Sequence, residues 1–67
     1  MPYVNVKIAG TATTEEKRQI MAGMTEVLHK VLNKKPETTY VVIEEHSPDN
    51  WGVGGESIAA RRARAQG

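Results

Sequence analysis

The run Val41-Val42-Ile43 constrains this chain more than any other feature. Consecutive strand residues point to opposite faces, so three β-branched residues in a row send apolar side chains out on both sides of a sheet. Strands of that kind are covered on both faces. The sequence offers one strong helical pattern to do the covering, between Thr13 and Asn33, and one helix masks one face. The other face calls for a second chain.

That helix is flanked by two strand patterns. Val4, Val6 and Ile8 alternate with Tyr3, Asn5 and Lys7, the period of a strand with one buried face. Gly10 and Thr11 break the pattern. Thr13 then stands three residues before Glu16, the spacing of a capping box. Ile20, Met21, Met24, Val27, Leu28, Val31 and Leu32 recur at spacings of three and four, which makes one apolar stripe. Asn33 suits the helix end, and Pro36 prevents continuation. A second strand is expected from about Thr38 to Glu45. Strand, helix and strand give a βαβ unit with parallel strands and a right-handed crossover. The stretch from His46 to Asn50 reads as a turn, and Trp51-Gly52-Val53-Gly54-Gly55 as a short hairpin or extended arm. The Ala- and Arg-rich tail after Ile58 reads as a frayed, solvated C-terminal turn. The expected class is α/β, a single domain over 1–67 with one βαβ unit and a C-terminal hairpin or arm, completed by oligomerisation.

Size agrees with the need for a partner. A chain of 67 residues buries only about 60% of the surface it exposes when unfolded. It has 39% hydrophobic residues, no Phe, a single Trp, and no cysteine for a disulfide. Two histidines without cysteine do not supply a structural zinc site, and no metal is expected. Nine Lys plus Arg against eight Asp plus Glu leave a formal net charge of +1. That balance gives no broad field for nucleic acid or an anionic membrane. No apolar run approaches the roughly 18 residues needed to span a bilayer, and no signal segment opens the chain; a cytoplasmic location is expected.

Several residue groups look chemical and are weak. His46, Ser47 and Asp49 are neighbours in sequence, whereas a triad is assembled in space. Gly52-Val53-Gly54-Gly55 follows the βαβ unit instead of joining its first strand to its helix, as a phosphate loop does. Arg61, Arg62 and Arg64 lack the interleaved aromatics of a nucleic-acid element.

Pro2 is different. Initiator methionine before a small residue is normally trimmed, and trimming leaves proline with an ionisable secondary amine. Model α-amino groups titrate near 8, and an apolar wall lowers that value. A base near neutrality is matched to moving protons at pH 7.

Pro2 opening a strand, the Thr13–Glu16 cap, the amphipathic helix, the V-V-I-E-E strand and the W-G-V-G-G-E segment together resemble the 4-oxalocrotonate tautomerase family, over residues 2 to 60. The resemblance implies βαβ protomers paired into four-stranded sheets, three such dimers in a hexamer, and a hairpin reaching across the interface. It implies a cofactor-independent isomerase in which the Pro2 amine moves a proton of an unsaturated or aromatic 2-keto or 2-hydroxy acid. Trp51 maps onto the aromatic wall of the pocket, and Val53 sits on the same arm. The family's two substrate-binding arginines fall at Ala12 and Tyr40. Alanine offers no donor and tyrosine one neutral donor, where arginine holds a carboxylate with two charge-assisted bonds. Efficient turnover of the diacid 2-hydroxymuconate is therefore not expected. The alternatives are a replacement cation (Lys7, or Arg61, Arg62 and Arg64 of a neighbouring subunit), a less charged enol held by Tyr40 and Trp51, or a non-catalytic subunit of a homo- or hetero-oligomer.

Overall fold

A computed structural model describes residues 1–66 of the chain. Strand β1 spans Tyr3–Ala9, helix α1 Thr14–Leu32 and strand β2 Tyr40–His46. Strands β3 (Gly52–Val53) and β4 (Glu56–Ser57) follow, then helix α2 over Ile58–Gln66. Strands β1 and β2 pair in parallel, from Tyr3 opposite Tyr40 to Ala9 opposite His46. The crossover helix between them completes the βαβ unit.

The limits of α1 follow from its caps. The Thr13 hydroxyl accepts from the Glu16 amide at 3.1 Å, and the Glu16 carboxylate accepts from the Thr13 amide at 2.8 Å. Two otherwise unpaired donors of the first turn are thereby satisfied. At the other end Asn33 adopts a left-handed conformation (φ 55°), which asparagine tolerates better than most residues. Strand β2 begins later than the sequence pattern suggested, because Pro36–Thr38 forms a 3₁₀ turn first.

The tail corrects the sequence reading. Instead of a frayed turn it forms α2, nine residues long. The Ser57 hydroxyl accepts from the Ala60 amide at 3.1 Å, and Arg64 pairs with Glu56 back on the hairpin. Those two tertiary and capping contacts convert a weakly patterned Ala/Arg segment into a helix.

Parallel partners share a face, so Val4, Val6 and Ile8 lie with Val41, Ile43 and Glu45 on the side that α1 covers. The opposite face presents Tyr3, Asn5 and Lys7 with Tyr40, Val42 and Glu44. Along α1, Val27, Val31 and Leu32 are exposed as well. Among the described residues none is fully buried. The chain exposes 5083 Å², against about 4,200 Å² for a compact monomer of its mass. Its radius of gyration is 15.4 Å, where a compact chain of this length has about 11 Å. One copy leaves much of its apolar surface unpacked. No described helix is long and apolar enough to cross a membrane.

Candidate active site

Because β1 and β2 are parallel, both strands start at one edge of the sheet and end at the other. At the amino edge the Tyr40 amide donates to the Pro2 carbonyl at 3.0 Å. Pro2 is half-buried there, while the Tyr40 side chain stands exposed. At the carboxyl edge the Gly10 amide donates to the His46 carbonyl at 2.9 Å, and the chain turns through Pro48–Asn50 toward Trp51. Seven-residue strands separate the two edges by about 20 Å. Within one chain, the Pro2–Tyr40 pair and the Trp51–Val53 arm are therefore not brought together.

Local chemistry aims the arm. The Ser47 carbonyl accepts from the Asn50 amide at 2.8 Å, and the Ser47 hydroxyl accepts from the Asp49 amide at 3.2 Å. This tight turn swings Trp51 back onto His46, edge to face, with ring centroids 6.0 Å apart. The Trp51 carbonyl in turn accepts from the Ile58 amide at 2.8 Å, closing the hairpin below it. Gly54 and Gly55, at φ 63° and 84°, supply the left-handed turn that other residues adopt only with strain. Val53 pairs with Glu56 and is exposed. A concavity of about 290 Å³ lies beneath the arm, lined by Lys7, His46, Asn50, Trp51 and Gly52.

On the other side of His46, Gly10, Thr11, Glu45, Ser47 and Pro48 line a second concavity of about 280 Å³. Glu45 organises its floor. Its carboxylate accepts from the Ala12 amide at 2.8 Å and pairs with Lys17 at 3.1 Å. Those bonds, the Ala12 amide first, hold the Glu45 carboxyl below the usual range. Glu44 is lowered too, chiefly by its hydrogen bond from Lys7 directly across the register. Ala12 thus meets the rest of the protein through its backbone.

Three contributors escaped the sequence reading. Glu45 as the anchor of the Ala12 loop and Glu44 as the partner of Lys7 depend on how β1 and β2 align, and His46 as the platform for Trp51 depends on the shape of the Pro48–Asn50 turn. Nothing in a single strand pattern reveals which residue stands opposite which.

An open-faced βαβ unit ending in a glycine-turned hairpin with an aromatic at its base defines a small α/β protein of the tautomerase fold. The family model for tautomerase enzymes matches residues 2–61, and the chain belongs to that family. It is 48% identical over 66 residues to the probable tautomerase K2 of Dickeya dadantii, covering 97% of this chain and 98% of that protein. Among solved structures it is similar to DmpI from Helicobacter pylori, with a TM-score of 0.88 and 35% identity over 92% of this chain and 97% of that one. It is equally similar in fold, at a TM-score of 0.88, to TomN, a 4-oxalocrotonate tautomerase homologue in the tomaymycin biosynthetic pathway. TomN is 32% identical, with 92% of this chain and 95% of that one covered. Family membership supports an isomerase activity of the tautomerase type.

Proposed function

We propose that this protein interconverts the keto and enol forms of an unsaturated or aromatic 2-keto or 2-hydroxy acid, with the amine of Pro2 as general base once Met1 is removed. The observation that carries this reading is the hydrogen bond from the Tyr40 amide to the Pro2 carbonyl at 3.0 Å. A strand terminus is otherwise free to fray; this bond pins the proline at the sheet edge, so its nitrogen acts from a fixed position. The amine takes a proton from the enol hydroxyl and returns one to carbon. Tyr40, whose amide makes that bond, offers a phenolic hydroxyl to the substrate oxygen on which charge develops. No metal or organic cofactor enters these steps.

The 20 Å between the two edges gives the oligomer a chemical purpose. The Trp51–Val53 arm of one subunit walls the Pro2–Tyr40 edge of another, excluding water and favouring the neutral amine. A second copy also covers the open sheet face, and a hexamer of three dimers satisfies both needs.

Exposure of the purified protein to 3-bromopyruvate, followed by intact-mass measurement and peptide mapping, tests the reading. A chain lacking Met1 and carrying one adduct on Pro2 is expected. A chain retaining Met1, whose Pro2 nitrogen is then an amide without a usable lone pair, or a processed chain that stays unlabelled, overturns it in favour of a non-catalytic subunit.

A further inference from the structure

We infer that Lys7 is the residue that receives a substrate carboxylate in the cavity beneath Trp51, and that its pairing with Glu44 selects ligands with one carboxylate over ligands with two. The inference rests on the reading above for the identity of the substrate, and on the cavity itself for the binding chemistry.

Of the residues lining the 290 Å³ cavity, Lys7 is the one with a fixed positive charge. Around it stand an indole (Trp51), an imidazole (His46) and an amide (Asn50). A planar, conjugated body fits against Trp51, whose ring is already held by His46. The anionic end of such a ligand needs a donor, and neither Ala12 nor Tyr40 is a cation. An ammonium carries three N–H donors. Lys7 gives one to Glu44 and has two left, and it lines the cavity itself, so it remains within reach of a ligand there.

Glu44 sets the charge count. Its carboxylate already balances Lys7, so one incoming carboxylate brings the cluster to a net single negative charge. A second carboxylate on the ligand adds repulsion with nothing on the cavity wall to offset it. The pairing thus does by subtraction what a pair of arginines does in the opposite sense.

Trp51 is the single tryptophan of the chain, so its fluorescence reports on ligands that reach this residue, and the Lys7 variants assign the signal to the cavity. The probes are trans-cinnamate, cinnamamide and the dicarboxylate cis,cis-muconate. They are titrated into the full-length oligomer as wild type and as Pro2→Ala, which replaces the secondary amine of the proposed base and leaves the cavity. Cinnamate is expected to quench Trp51 in both, more tightly than cinnamamide or muconate, with affinity falling as salt rises. Lys7→Met should weaken cinnamate by at least roughly tenfold, the worth of one charge-assisted hydrogen bond, and leave cinnamamide unchanged. Lys7→Arg should retain binding and serves where Lys7→Met does not fold. Glu44→Gln should narrow the preference for cinnamate over muconate. Equal affinity for cinnamate and its amide, or unchanged cinnamate binding in Lys7→Met, overturns the inference. Cinnamate binding that persists in a protein whose Pro2 resists alkylation overturns the catalytic reading instead and leaves the role of Lys7 standing.

Discussion

The Tyr40 amide and the Pro2 carbonyl are joined at 3.0 Å, one step before the Tyr3–Tyr40 register pair opens the parallel ladder. The bond belongs to the main chain, so it survives replacement of either side chain. Chemistry at this edge can therefore be altered without loosening it.

Pro2→Ala keeps the carbonyl and the rung while replacing the secondary amine. Keto–enol turnover should fall by about 10²- to 10⁴-fold, the worth of a positioned base, with the oligomer mass unchanged. Steady-state rates alongside light scattering check this; undiminished turnover would assign the base elsewhere.

Tyr40→Phe deletes only an exposed hydroxyl. Stability should move by no more than about 0.5 kcal/mol, whereas kcat should drop if the hydroxyl supports the developing charge. Denaturant melts and kinetics on one preparation separate the two effects, and equal kcat values would remove Tyr40 from the mechanism.

Val42 stands on the sheet face that α1 leaves open. Val42→Asp places a charge where a second chain is needed, so the assembly should dissociate and its melting temperature should become lower and more dependent on protein concentration. A native-size particle from this variant would show that the face is covered in some other way.

Acid should loosen the loop before α1. Glu44 and Glu45 both titrate below their ordinary value of 4.5 in the folded chain. Their contribution to stability is complete above that value and is lost as pH falls through their lowered folded values. Glu45→Gln should therefore flatten the decline in stability between about pH 5 and pH 3, measured by urea unfolding at fixed protein concentration. An unchanged slope would mean that the bonds to Ala12 and Lys17 do not hold in solution.

Thr13→Ala removes one half of the capping box and should cost about 1 kcal/mol, read as a shift in urea midpoint without a change in slope.

The helix was legible almost residue by residue, because a cap at Thr13 and a stop at Asn33 are local events that neighbouring residues settle. The parallel pair was legible for the same kind of reason, through two alternation patterns and a crossover of helical length. The start of β2 was misread by two residues, since Pro36–Thr38 takes up a turn that β-propensity ignores. The second helix was missed because its stability comes from Ser57 and Glu56, outside its own sequence.

The candidate site divides along the same line. The sequence by itself determined that a proline opens the first strand, that an aromatic heads a glycine-rich arm, and that one helix leaves half of the sheet bare; each follows from spacing within a few residues. Only the tertiary structure decided that Pro2 sits beside Tyr40 while Trp51 lies at the far edge, and that Lys7 meets Glu44 and Ala12 meets Glu45. Those facts rest on the register between strands more than thirty residues apart in the chain, and register is fixed by packing across the crossover, which no local pattern encodes.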